Sequence, residues 1–318
     1  MMGPVGTMGE VLVEMVAARR GQSFRQVGTW RGPFPSGAPA IFVDQVARLG
    51  QSCAIVSSVG DDEFGRMSFE RLRADGVDVS LVNILPDQAT GTAFVRYRED
   101  GGRDFVYNVR QSAAGRIFLT RAAEAIVASW SHLHVVGSSL FSSAMVEEVT
   151  KAIRAVKTSG GTVSFDPNIR RELLTTSEQR EVLRAILSEC DVFLPSADEV
   201  CGLTTADDEA AAVREILSCG VRAVVIKRGA LGATYVDEHQ IVHGVPYLVK
   251  EVDPTGAGDC FAAGYVVSWL AGTRIEESLR LANACGASAC TVVGPMEGVS
   301  GRASLEMWLE TAQQGEVE

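Results

Sequence analysis

The chain has 318 residues, 46% of them hydrophobic and 22% charged, which is enough to bury one sizeable core and ordinary for a globular protein. Forty acidic against 29 basic residues leave a net charge of −11, which argues against nucleic acid or an anionic membrane surface as the main partner. Seven cysteines without a C-x-x-C pair, and only four histidines, suggest neither a zinc site nor a disulfide framework; the expectation is buried, reduced thiols in a cytosolic protein, since no signal peptide or apolar run of about twenty residues is seen.

In chain order, residues 5–15 mix apolar and small residues as a first central strand does, with Glu14 at its end. Residues 16–34 are polar and aperiodic. From Pro35, turn chemistry passes into an amphipathic helix closed by Gly50. Residues 53–60 read as a short buried strand, and Asp61-Asp-Glu-Phe-Gly65 leads into a helix ending near Gly76. Residues 91–98 and 103–110, joined by Glu99-Asp-Gly-Gly102, form a hairpin. Strand alternation sets Val106, Asn108 and Arg110 on one face and Phe105, Tyr107 and Val109 on the other, so Arg110 faces either a ligand or solvent.

The second half keeps a β-α rhythm: a helix near 120–129, a strand at 132–137, a helix from 143 to about 157 and a strand at 162–166. His132 and His134, with no further ligands nearby, read as core or surface residues. Asp166-Pro-Asn-Ile-Arg170 falls at the C-terminal end of its strand, where open α/β sheets place ligands. The Arg170 guanidinium suits a phosphate or a carboxylate equally. Residues 191–195 form a strand running into Ser196-Ala-Asp-Glu-Val200, residues 223–235 read as strand-turn-strand, and 275–292 as a helix of small residues. The polar tail after Trp308 is expected to fray.

The most specific stretch is 250–272, where Gly256-Ala-Gly258 opens directly into a run of good helix formers. Gly256 and Gly258 lack a Cβ, so the backbone can approach a ligand closely. Unpaired N–H groups of residues 256–258, with the positive end of the helix dipole, suit a phosphate. Asp259 stands where a carboxylate could take a proton from an incoming hydroxyl. Taken alone, those four residues read as an ordinary turn with an Asp cap; the heptad Asp253-Pro-Thr-Gly-Ala-Gly-Asp259 with a helix behind it is more specific.

That heptad resembles the C-terminal signature of the ribokinase-like (PfkB-type) sugar kinases, and further motifs follow in the right order over about 300 residues. The resemblance implies one domain spanning 1–318 with a ribokinase-like α/β fold: a central, mostly parallel sheet flanked by helices, plus a small β-sheet lid from residues 11–34 and 88–112. It makes Asp259 the catalytic base and Gly256, Ala257 and Gly258 the anion hole. Ser196 (where the family has Asn) and Glu199 would order magnesium and water near the triphosphate, and Lys227, Gly229, Gly232 and Asn283 would border the nucleotide. Glu14 (in place of Asp), Gly37, Tyr107, Arg110, Asn168 and Arg170 would meet the substrate, while Ile41 stands where the family places a substrate-holding Asn.

The resemblance further implies ATP and Mg2+, with a monovalent cation such as K+ as a possible addition, and a homodimer formed through the lid's exposed face. The segments around Tyr107–Arg110 and Asp166–Arg170 look most like 2-keto-3-deoxygluconate kinases, in which arginines meet the sugar acid's carboxylate; a neutral ketohexose such as fructose or tagatose is the alternative. A catalytically silent sugar or nucleotide sensor on the same fold is a second alternative. A dinucleotide oxidoreductase is disfavoured because Phe261 occupies the third glycine position of G-x-G-x-x-G, and a P-loop is excluded because no Gly-Lys pair occurs.

Overall fold

A computed structural model of the chain describes residues 3–169 and 177–315. The stretch expected to be one first strand divides between two sheets. β1 (Val5–Met8) ends before Gly9-Glu10, and β2 (Leu12–Ala17) continues in a different sheet, with Glu14 buried mid-strand rather than at a strand end. There follow β3 (Trp30–Ser36), α1 (Ala38–Arg48), β4 (Cys53–Gly60), α2 (Glu63–Ala74), β5 (Val82–Leu85), β6 (Gly91–Tyr97) and β7 (Arg103–Asn108). The second half runs α3 (Arg121–Val127), β8 (His132–Val136), α4 (Ser143–Thr158), β9 (Thr162–Asp166), α5 (Ser177–Leu187), β10 (Val192–Phe193), α6 (Glu209–Ser218), β11 (Ala223–Lys227), β12 (Ala233–Val236) and β13 (Ile241–Gly244). Three helices close it: α7 (Ala257–Leu270), α8 (Ile275–Ala289) and α9 (Arg302–Thr311).

Among the described residues, nine strands form the large sheet in the order β13-β12-β11-β10-β9-β8-β1-β4-β5, parallel except for β12 and β13. The small sheet has the order β3-β2-β6-β7. Chain order reverses at β1, which pairs with β4 on one side and β8 on the other. Loops leaving neighbouring strands in opposite directions open a crevice there, at the carboxyl ends of the strands.

Two apolar layers sandwich the large sheet. One joins it to α1, α2, α7 and α8, the other to α3 to α6. α7 is apolar around its whole circumference, and every residue from Asp259 to Ser268 is buried, as expected of a helix packed between α1 and α8. His132 and His134 are fully buried core residues, bonded to Thr162 and Ser164 of β9; the His134 ring stacks on Phe42 at 3.8 Å. Burial pushes His132 down to about 3.

Three further sequence expectations need correction. Cys201 and Cys219 are exposed rather than buried, because both sit at surface helix termini or turns. The tail does not fray at Trp308: α9 continues to Thr311, the Trp308 ring packs on Tyr247 at 5.1 Å, and Gln314 bridges to Tyr247. The second hairpin strand stops at Asn108, so Arg110 lies beyond it.

Candidate active site

Six of the residues singled out from sequence, Glu14, Gly37, Tyr107, Asn168, Gly256 and Asp259, line one cavity between the two sheets. Each arrives from a different local device. Gly37 N-caps α1 with φ 112°, and a Cβ there would lie 2.3 Å from the Glu10 carbonyl oxygen, so only glycine closes this turn. Gly256 N-caps α7 with φ 83°, and its missing Cβ would meet the Pro295 carbonyl oxygen at 2.4 Å and Ile41 at 3.2 Å. Ile41, standing in place of the expected Asn, therefore forms an apolar floor directly beneath the glycine turn.

No side chain caps α7. The Ala257 N–H is already turned back on the Pro254 carbonyl at 3.3 Å, so of the three amides expected to be unpaired this one is engaged. The turn is held from below by Asp253, whose buried carboxylate accepts the Thr255 and Gly294 N–H groups, both at 3.0 Å, and the Tyr97 hydroxyl. Asp259, in the first turn of α7, is only 6% exposed.

The hairpin presents its odd-numbered face to the cavity: Ala93, Phe105 and Tyr107 line it, with Phe105 and Tyr107 stacked at 5.3 Å. Alternation gave the two faces but could not say which was inward. Arg110 is exposed and is not among the lining residues, and Arg170 lies outside the described residues.

A second polar group gathers at the carboxyl ends of β9 to β11. Lys227, at the end of β11, is ion-paired with Asp166 at the end of β9; Asp166 is buried and Lys227 half-buried. Its ammonium also stands beside the α7 turn, 3.6 Å from where a Cβ on Gly258 would be. Glu199 accepts the Ser196 N–H at 2.7 Å and the Ile169 N–H at 2.6 Å, and Ser196 bridges to Lys227. Burial raises the Glu199 carboxyl, the neighbouring Asp166 charge adds to this, and Lys227 with the two N–H donors opposes it. Asn168 follows in a left-handed conformation at φ 36°, its N–H held by Asp166 at 3.1 Å and its side-chain amide 3.5 Å from Ser138. Gly229 and Gly232 shape the β11–β12 turn, both with positive φ. Asn283 is buried in α8 and donates to the Val245 carbonyl at 2.9 Å, so its amide nitrogen braces the segment after β13.

Several lining residues were missed by the sequence reading. Glu10 follows β1 directly and is buried in the cavity wall, receiving a hydrogen bond from Ser139 at 2.5 Å. Ser138 follows β8 and lines the cavity in the same way, with Ser139 behind it holding Glu10. The available signal was position: each lies just past the carboxyl end of a strand flanking the reversal of strand order.

What the arrangement can do chemically is now plain: a buried carboxylate, an uncapped helix N-terminus and a lysine converge where a polar ligand would meet an anion. The family model described as pfkB family carbohydrate kinase matches residues 31–300. The chain is 31% identical over 297 residues to the probable fructokinase-7 of Arabidopsis thaliana, covering 90% of this chain and 86% of that one. A putative ribokinase II from E. coli, solved in complex with ATP and Mg2+, superposes with a TM-score of 0.91 at 46% identity, covering 98% of this chain and all of the other. A fructokinase double mutant from Vibrio cholerae O395, bound to fructose, ADP and potassium ion, gives a TM-score of 0.83 at 28% identity, covering 97% and 98%. With the ribokinase-like fold and the Asp253–Asp259 turn in place at the head of α7, the chain belongs to the pfkB family and is a carbohydrate kinase.

Proposed function

We propose that this kinase transfers the terminal phosphoryl group of ATP to a hydroxyl of a neutral sugar, a ketohexose such as fructose ahead of 2-keto-3-deoxygluconate. The observation that carries this reading is the charge of the cavity wall. Glu10, Glu14 and Asp259 line it, and among the described residues no Arg, Lys or His does. Sugar hydroxyls donate readily to such oxygens, whereas a substrate carboxylate would face like charges. Arg110, one of the two arginines invoked for a sugar acid, is exposed and stands outside the lining residues. The name fructokinase on curated relatives points the same way.

In this reading Asp259 takes the proton of the attacking hydroxyl while the amides at the head of α7 and Lys227 stabilise the charge on the phosphoryl group in transit. Magnesium fits the oxygen donors at the ends of β9 and β10: Asp166 and Glu199, the latter ordered by Ser196, would hold it through water and phosphate oxygens, and it would neutralise phosphate charge. Gly229, Gly232 and Asn283 border the nucleotide, and Gly37, Tyr107 and Asn168 shape the sugar pocket. K+ is a further candidate activator, by likeness to the potassium-bound Vibrio cholerae enzyme. A homodimer through the lid rests on the outer face of the small sheet, where Val106 is 45% exposed beside Phe94, and sedimentation would report it.

The test is ADP release measured over fructose, tagatose and 2-keto-3-deoxygluconate, with Asp259→Asn alongside. Turnover of a ketohexose that falls by orders of magnitude in the variant, with ATP binding retained, is the expected result. Wild-type turnover of the keto acid alone would overturn the substrate, and a fully active Asp259→Asn variant would overturn the base.

A further inference from the structure

The end of the small-sheet hairpin is wired to the glycine turn, and we infer that Tyr97 is a positioning residue that carries the hairpin's placement over the sugar into the geometry of the anion hole. The inference rests on the phosphoryl-transfer reading of that turn. Tyr97 closes β6 and Arg103 opens β7; they are cross-strand partners, so both side chains emerge on one face, shared with the cavity-lining Ala93, Phe105 and Tyr107. From that face the Tyr97 hydroxyl donates to Asp253, and the Arg103 guanidinium donates to the Thr255 hydroxyl at 3.3 Å. Both contacts span more than 150 positions of sequence, and both land on the segment that sets Gly256.

Asp253 is the hub of that segment. One carboxylate oxygen accepts Tyr97 Oη and the Thr255 N–H, and the other accepts the Gly294 N–H, immediately before Pro295, whose carbonyl lies against Gly256. Tyr97 is therefore the link through which the hairpin grips the carboxylate that orients the residues on either side of the glycine. The hydroxyl is held protonated, because burial and the adjacent Asp253 charge both raise its pKa, so it remains a donor across the working pH range. Sugar beneath Phe105 and Tyr107 fixes the hairpin, the hairpin fixes Asp253 through Tyr97, and Asp253 holds the turn that receives the phosphoryl group. Water that enters without a sugar lacks this support, which favours transfer to sugar over hydrolysis.

Tyr97→Phe keeps the ring and removes only the donor. The loss of one hydrogen bond to a charged group predicts a kcat lower by roughly ten- to a hundredfold on whichever sugar the wild type accepts, with KM for sugar and ATP changed by less than about twofold. Hydrogen exchange read by mass spectrometry across residues 250–262 supplies a measure independent of turnover, and faster exchange in the variant than in wild type is expected there. Unchanged exchange in that segment overturns the inference whatever the activity does. Equal kcat with a lowered melting temperature overturns it too, since that is the signature of packing alone. Failure of the wild type on every sugar in the panel would instead count against the proposed function, leaving the exchange result to decide on Tyr97.

Discussion

Replacing Lys227 by Met keeps most of the side-chain stem and removes the ammonium from a pair that water scarcely reaches: the Lys227 side chain is 13% exposed and that of Asp166 only 2%. Asp166 would then retain the Asn168 N–H at 3.1 Å as a partner but lose its countercharge. Removing one member of a buried ion pair costs about 3–5 kcal/mol, because the remaining charge stays desolvated, and this is a large share of a typical unfolding free energy of about 5–15 kcal/mol. Glu199, whose carboxyl burial already raises, loses an opposing charge at the same time and shifts further toward its protonated form. Lys227→Met should therefore unfold at clearly lower urea concentration than wild type. The double variant Lys227→Met/Asp166→Asn, with both charges gone, should recover most of that loss. Turnover should stay low in both variants, because the ammonium beside Gly258 is missing in each. A single variant as stable as wild type would refute the buried-pair reasoning, and a double variant with full turnover would refute a role for Lys227 at the phosphoryl group.

Gly256→Ala places a Cβ at φ 83° and within 2.4 Å of the Pro295 carbonyl oxygen, so the turn must deform. A strain of about 1–3 kcal/mol and a loss of at least a hundredfold in kcat are expected, checked by calorimetry and steady-state kinetics, and normal turnover would contradict the tight fit. Asp44, fully buried in α1, has its pKa raised above 3.8 by burial first and the Asp75 charge second, with Arg71 opposing. A carboxyl raised in the folded state contributes stability that is complete below its unfolded value and is lost as pH rises through its folded one. Asp44→Asn removes this loss, so melting temperatures across about pH 4 to about pH 8 should show the variant gaining on wild type as pH rises; a variant that falls behind it would contradict the assignment.

Sequence alone determined what is local. The turn at Gly256 and the helix behind it were legible because a glycine at positive φ followed by helix formers is a short-range device, and the β-α rhythm was legible because burial on both faces imposes continuous apolar strands. The hairpin was legible from Glu99-Asp-Gly-Gly102. Tertiary structure decided whatever depends on which elements meet. Residues 5–15 look uniform as a strand, yet they split at Gly9-Glu10 because β1 finds partners in β4 and β8 while β2 finds β3 and β6, and the break sets Glu10 in the cavity wall. Alternation assigned Tyr107 and Arg110 to opposite faces but could not orient them; packing over the crevice turned Tyr107 inward and left Arg110 exposed. The bonds from Tyr97 and Arg103 to the glycine turn and the pairing of Lys227 with Asp166 join residues far apart in the chain, so no pattern within one segment encodes them; they exist because strand order brings those ends together.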